Sequence, residues 1–125
     1  MKLFEYQAKH QLKAHQIPIP EGMLATSYDE VRQAISDFNG VVIAKPQGTR
    51  STRTVRLSKD SVDARTVDDL FNADASVKYI LIEELIDVSC RIYITLQTHQ
   101  RLGKLSLLVS SDVDGEILQD EQLIN

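Results

Sequence analysis

Residues 27–44 constrain the fold more strongly than any other part of the sequence. Ser27 and Glu30 have the spacing of a capping box, in which the serine caps a helix and the glutamate reaches back to its first backbone groups. Apolar residues follow at helical spacing, and Asn39-Gly40 supplies a left-handed stop. Val41–Ala44 is then a short apolar run, typical of a buried strand. We therefore predict a helix that packs on a sheet.

The rest of the chain alternates helical and extended patterns. We predict helices over residues 3–15 and 61–72, and strands over 53–58, 79–82, 90–97 and 104–109. The first helix has Leu3, Phe4, Ala8 and Leu12 on one side, and Ile92, Ile94 and Leu96 face one way on the strand at 90–97. The last two strands read as a hairpin, and the tail from residue 110 is weakly patterned. The predicted order is α, then α-β-β-α-β, then a β-hairpin. Because two strands alone are marginal in water, the hairpin sheet needs a partner, an exchanged segment or further chain.

Length and charge exclude several classes of protein. A chain of 125 residues, 42% hydrophobic and 26% charged, has the size and composition of one small globular domain. Its net charge of −4 argues against a nucleic-acid partner, and no apolar run reaches the length of a membrane span. The single cysteine excludes an internal disulfide, and we expect a cytoplasmic protein. Basic residues cluster within residues 45–59, which favours a small anionic ligand.

Several motifs together resemble one protein family. The chain opens with Glu-Tyr-Gln-Ala-Lys at residues 5–9, followed by a Pro-x-Pro-x-Gly turn at residues 18–22. A valine-rich strand then ends in Lys-x-Gln at residues 45–47, and residues 80–83 read Ile-Leu-Ile-Glu. This combination resembles the N-terminal part of the succinyl-CoA synthetase (ADP-forming succinate–CoA ligase) β subunit. The resemblance covers nearly the whole chain but only about the first third of a family member.

The resemblance implies an α+β fold of the ATP-grasp type, in which two subdomains clasp ATP. Residues 21–88 would form the complete small lid subdomain (α-β-β-α-β). The larger subdomain would be represented only by the N-terminal helix and turn (1–20) and by the hairpin and tail (89–125). The implied cofactor is ATP, with Mg supplied by ligands outside this chain. The implied partner is an α-type subunit, and self-association through the unfinished sheet is the alternative.

Lys45 and the loop after it are the first candidate ligand-binding residues. A lysine at a strand end presents a point charge to nucleotide phosphates, as the matching lysine does in the family; alternatively, it only extends into solvent. In the following loop, Gly48 is the only glycine left of the family's glycine-rich lid loop. Arg50 and Arg53, with Thr49, could contact phosphate through side chains. A solvated polar loop is the competing interpretation.

Three further positions correspond, by the same resemblance, to the part of the family's site that binds adenine and ribose or lies near the nucleotide. Glu83 would accept from ribose hydroxyls or hinge donors, and strand alternation lets only one of Glu83 and Glu84 point into the cleft. Ile86 would offer an apolar wall to adenine. Arg91 replaces a family glutamate near the nucleotide, a change that favours anions and disfavours magnesium.

The function that follows is the ATP-binding portion of a succinyl-CoA synthetase-type ligase subunit, not catalytically complete alone. No catalytic residue is predicted. No metal site is predicted either, because Asp112, Asp114 and Glu116 do not complete an EF-hand pattern. One alternative is a degenerate non-catalytic paralogue that acts as an interaction or structural protein. Another is a small anion-binding module built on Lys45, Arg50 and Arg53.

Overall fold

The structure is a computed structural model that describes residues 2–50, 53–113 and 116–124. The chain divides into two units, one ending at Ile86 and one beginning at Asp87. The elements of the first unit are α1 (Glu5–Ala14), β1 (Gly22–Ala25), α2 (Tyr28–Asp37), β2 (Val41–Gln47), β3 (Val55–Ser58), α3 (Ala64–Phe71) and β4 (Tyr79–Glu84). The second unit contains β5 (Arg91–His99), β6 (Lys104–Val113) and β7 (Glu116–Ile124).

The first unit is a four-stranded antiparallel sheet with the strand order β1-β4-β2-β3. Helices α2 and α3 pack on one face of this sheet, where alternate strand residues point inward. The core contains Ala25, Val31, Ala34, Ile35, Val42, Ala44, Leu57, Val67, Leu70, Ile80 and Ile82. The predicted mixture of helix and sheet is confirmed, and no helix among the described residues is long and apolar enough to span a membrane.

The ends of α2 follow the predicted signals. The Ser27 hydroxyl accepts from the Glu30 backbone N–H at 3.3 Å. The Glu30 carboxylate accepts from the backbone N–H and the hydroxyl of Thr26, one residue before the cap. Asn39 and Gly40 both have positive φ angles, 60° and 86°, which end the helix and turn the chain into β2. The predicted cap at Ser27 is confirmed, and Glu30 reaches back as predicted but to Thr26, one residue further than in a capping box.

Strand β1 was missing from the sequence prediction, which ended the first helix in a simple turn at residues 17–22. It pairs along β4 from Gly22 opposite Glu83 to Ala25 opposite Ile80. A four-residue strand next to two prolines gives little periodic signal, so only the pairing identifies it. Strands β2 and β4 are also longer than predicted, because their ladder runs from Val42 opposite Glu84 to Gln47 opposite Tyr79.

The N-terminal helix is shorter and less buried than its pattern indicated. We predicted residues 3–15, whereas α1 begins at Glu5, with Phe4 as its N-cap residue. Its predicted apolar side is largely open, since Leu3 and Leu12 are exposed and no residue of α1 is buried. Polar contacts, described below, hold α1 against the sheet.

The second unit is a three-stranded antiparallel sheet with the order β5-β6-β7. The predicted hairpin is confirmed as β5–β6, but the tail, read as weakly patterned, forms the third strand β7. Ile92, Ile94 and Leu96 alternate along β5 as predicted, and all three are exposed. The domain boundaries proposed from sequence, including the placement of residues 1–20 in the larger subdomain, stay a prediction.

Candidate functional site

The sheet of the first unit has a second face, opposite α2 and α3, and this face carries charge. Ile43 on β2 lies opposite Glu83 on β4, and Lys45 lies opposite Leu81. Residues directly opposite each other share a face, and side chains alternate along a strand, so Ile43, Lys45 and Glu83 all project from this second face. The Ala44 side chain, between Ile43 and Lys45, points into the core. The sequence pattern therefore places a lysine and a glutamate side by side on neighbouring strands.

Helix α1 completes a cluster of four charges over these two residues. The Lys45 ammonium lies 2.8 Å from a Glu83 carboxylate oxygen and 2.7 Å from a Glu5 carboxylate oxygen. Lys9, one helical turn after Glu5, donates to the other Glu83 oxygen and lies 3.0 Å from Glu5. Two lysines and two glutamates alternate in a closed square, so the cluster has no net charge. We call these four residues the charge square.

The two glutamates of the charge square differ in exposure. The Glu83 side chain is 4% exposed and that of Glu5 is 41% exposed. Burial alone would raise the pKa of Glu5, but hydrogen bonds from Lys45 and Lys9 outweigh it and lower that pKa. Burial alone would lower the pKa of Lys45, but Glu5 and Glu83 outweigh it and raise that pKa. Both side chains are therefore held in their charged forms.

Gln47, the last residue of the Lys-x-Gln motif, fastens α1 to the sheet. Its buried side chain accepts from the Tyr6 backbone N–H at 3.1 Å and donates to the Lys45 carbonyl at 2.9 Å. The Tyr6 ring also meets the Tyr79 ring edge-on, with centroids 5.9 Å apart. Tyr6 contributes one of the four N–H groups at the helix start that lack an intrahelical partner. The glutamine thus connects the start of α1 with the strand that carries Lys45.

The loop after β2 is fastened to the turn before β4. The backbone N–H of Thr49 donates to the Ser76 hydroxyl at 2.8 Å, and that of Arg50 donates to the Asp74 carboxylate at 3.1 Å. Backbone hydrogen bonds from Ser76 and Arg50 lower the pKa of Asp74. A Cβ at Gly48 would lie 2.9 Å from a Val77 methyl group, so the glycine is needed for close packing here.

Two grooves flank the charge square within the first unit. One, of about 370 Å³, is lined by residues 2–5 and 46–50, which bring Glu5, Gly48 and Arg50 together. The other, of about 1030 Å³, lies between α1, the extended segment 16–24, Leu81 and Glu83. Both volumes fall in or near the range of ligand sites in proteins. The smaller groove combines the loop backbone with cationic side chains.

Comparisons with known proteins place this arrangement in a wider context. No protein-family model matches the chain. It is 30% identical over 122 residues to an ADP-forming sulfoacetate-CoA ligase subunit of Bilophila wadsworthia. This alignment covers 94% of this chain and 33% of that protein. It is 31% identical over 134 residues to the β subunit of an ADP-forming succinate–CoA ligase of Syntrophotalea carbinolica, covering 95% and 34% of the two chains.

A solved structure agrees on the fold. The ATP-grasp ligase PsnB, in a complex with a precursor variant, Mg and ADP, superposes with a TM-score of 0.52 at 17% identity, covering 93% of this chain and 35% of that chain. The chain has the fold of part of an ATP-grasp protein. Its sequence is similar over some nine tenths of its length to ADP-forming CoA ligase subunits, as the motifs indicated. It spans about a third of the length of these relatives.

On this ATP-grasp framework the predicted site residues have different surroundings. Lys45 and Glu83 meet directly, and Gly48 and Arg50 line the smaller groove beside them. Arg53 and Ile86 belong to the first unit and are exposed, and Arg91 is exposed at the start of β5 in the second unit. Glu83 lies one residue before the end of β4, where it is buried and accepts from two lysines, and its expected contact with ribose stays a prediction. As expected from alternation, Glu84 projects the other way, where it accepts from the Glu21 backbone.

Sequence reasoning missed four residues that shape this site: Glu5, Lys9, Asp74 and Ser76. Glu5 and Lys9 belong to the opening pentapeptide, which served to recognise the family but not to locate a site. Among the described residues, no group of three or more histidine, cysteine, aspartate or glutamate side chains is placed to hold a metal. Asp114 lies outside the described residues, as do the side chains of Asp112 and Glu116.

Proposed function

We propose that this chain is the nucleotide-binding portion of an ADP-forming acyl-CoA ligase subunit and that it is not catalytically complete by itself. The observation that carries the proposal is the position of Lys45. Its ammonium contacts the Glu5 carboxylate, and Glu5 lines the smaller groove together with Gly48 and Arg50. An ammonium group at such a place attracts the phosphates of a nucleotide.

The contributions of individual residues follow from this placement. Lys45 would bind a phosphate oxygen, and Arg50 and Arg53 would add charge-assisted contacts from the loop. Ile86 would lie against the base, and the role expected for Arg91 from the sequence stays a prediction. Glu83 is proposed as a positioning residue that holds Lys45, since both of its oxygens are engaged by lysines. Magnesium is expected to require ligands beyond the described residues, which offer no cluster suited to it.

The names of the relatives also point to a reaction in which this chain takes part. Their names describe subunits of ADP-forming ligases that act on succinate or sulfoacetate and CoA. We infer that this chain works with an α-type subunit, in the cytoplasm, in ligation of a small organic acid to CoA. The exposed apolar residues Ile92, Ile94 and Leu96 on β5 give such a partner, or a second copy of the chain, a surface to cover.

The test measures the binding of Mg-ATP to the chain by thermal unfolding and by calorimetric titration. A ligand at one hundred times its Kd stabilises a protein by about 2.7 kcal/mol. We expect a rise in melting temperature with ATP that is lost in Lys45→Ala and kept in Lys78→Ala, an exposed lysine just before β4. Each variant is compared with itself with and without nucleotide, so that a change in intrinsic stability does not enter the result.

One observation favours a second candidate, a non-catalytic interaction protein. Lys45 is already paired with two carboxylates, and the loop N–H groups of Thr49 and Arg50 are engaged by Ser76 and Asp74. A site so occupied by the protein's own groups would bind nucleotide weakly. If ATP, ADP and GTP at millimolar concentration do not stabilise the chain, the non-catalytic interaction protein becomes the favoured function. Stabilisation by phosphate alone would favour the anion-binding module.

A further inference from the structure

The two carboxylates that hold Lys45 are not equivalent. Their distances to the ammonium are nearly the same, 2.7 Å for Glu5 and 2.8 Å for Glu83. Glu83 is buried on a central strand of the sheet, whereas Glu5 lies in the first turn of α1 and is 41% exposed. Removing a buried carboxylate from its partner leaves an uncompensated charge, but an exposed one regains water. Glu5 is therefore the carboxylate that can leave Lys45 at the lower cost.

The remaining contacts of the charge square make this exchange easier. When Glu5 releases Lys45, it still has Lys9 at 3.0 Å, one helical turn away. Glu83 keeps Lys9 as well, so neither carboxylate loses its last cation. Lys45 would then have one carboxylate and one free direction. An incoming anion can take that direction without leaving a buried charge unpaired.

The position of Glu5 relative to the smaller groove completes the case. Glu5 lines this groove together with Gly48 and Arg50, where phosphate is proposed to lie. The Glu5 side chain is 41% exposed, so it can turn away from Lys45 into solvent while the neighbouring Tyr6 keeps its contacts with Gln47 and Tyr79. A carboxylate and a phosphate oxygen would approach the same ammonium from the same side.

We infer that Glu5 is an internal competitor of nucleotide phosphate for Lys45 and thereby sets the affinity of the site. This inference rests on the proposed nucleotide binding and adds a residue that controls it. Glu5 contacts Lys45 and not the nucleotide in this scheme, because its negative charge repels phosphate. Removal of that charge should strengthen binding.

The experiment measures the Kd of sodium tripolyphosphate and of Mg-ATP by calorimetric titration for the chain and three variants. Glu5→Gln removes the competing charge, and we expect about fivefold tighter binding, the effect of one opposing charge at contact distance in a water-like surrounding. Glu5→Asp keeps the charge in the first turn but withdraws it from Lys45 by one methylene group. It should bind more tightly than the unaltered chain and less tightly than Glu5→Gln. Asp37→Asn, an exposed change of equal charge on α2, should leave the Kd unchanged.

Each outcome decides between the claims. If the chain binds ATP and Glu5→Gln binds it with the same Kd, Glu5 is not a competitor, although nucleotide binding stands. If Asp37→Asn tightens binding as much as Glu5→Gln, general charge repulsion explains the effect and the inference is wrong. If neither the chain nor Glu5→Gln binds either ligand, both proposals fail together. Circular dichroism melts confirm that each variant is folded before titration, and Glu5→Asp retains the acidic first turn if Glu5→Gln does not fold.

Discussion

Glu83→Gln tests whether the charge square stabilises the fold. The substitution keeps the size of the side chain, 4% exposed, and replaces its charge by an amide. The carboxylate accepts from Lys9 and Lys45, whereas the amide has one acceptor oxygen and turns an NH2 group toward the other lysine. One charge-assisted hydrogen bond is therefore lost, which is about 2 kcal/mol, since such bonds contribute roughly 1.5–3 kcal/mol each.

The assay is urea denaturation followed by circular dichroism, with linear extrapolation to water. A loss of about 2 kcal/mol is a large part of the 5–15 kcal/mol typical of domains and lowers the melting temperature by about 10 °C. The matched control is Glu84→Gln, the same substitution one residue later on the opposite face. Its carboxylate accepts only from the exposed Glu21 backbone among the contacts described, so we expect a change within about 0.5 kcal/mol. Equal midpoints and equal slopes for the two variants would refute the reasoning.

Three further predictions concern packing and pH. Gly22→Ala should lower the free energy of unfolding by about 1–3 kcal/mol in the same urea assay, because the new Cβ would lie 2.7 Å from the Ile82 carbonyl oxygen. An unchanged free energy of unfolding would mean that β1 is not packed as described. Leu57→Ala should cost about 3 kcal/mol, since its side chain is almost fully buried in the core, and a cost below 1 kcal/mol would contradict that burial. The lowered pKa of Glu5 stabilises the fold above its ordinary value of 4.5, and this contribution is lost as pH falls through the lowered folded-state pKa. The raised pKa of Lys45 stabilises below its ordinary value of 10.5 and is lost as pH rises through the folded-state pKa. Urea melts at pH 3–7 should therefore show a shallower acid loss in Glu5→Gln than in the unaltered chain, and identical acid profiles would contradict the pairing.

The sequence predicted correctly those features of the fold that depend on residues close together in the chain. The cap at Ser27 and the left-handed stop at Asn39-Gly40 are interactions within a few residues, and the structure contains both. Strand β1 and strand β7 were missed because short or polar strands form only when a neighbouring strand supplies their hydrogen bonds. Strands β4 and β6 are predicted from their own patterns, but only the tertiary structure shows which further segments pair with them.

The same distinction explains what could be predicted of the site. Strand alternation separated Glu83 from Glu84, and the family motifs drew attention to Lys45 and Glu83. The contact of Glu5 with Lys45 spans forty residues of sequence and depends on where α1 lies. An apolar pattern on α1 suggested a helix held by hydrophobic burial, but the described contacts hold it largely through charge and through Gln47. A helix held in this way responds to anions, to salt and to pH, because each of these acts on the ionic contacts and leaves the hydrophobic core unchanged. The polarity of the α1 contact is thus what joins the stability of the fold to the ligand proposed for Lys45.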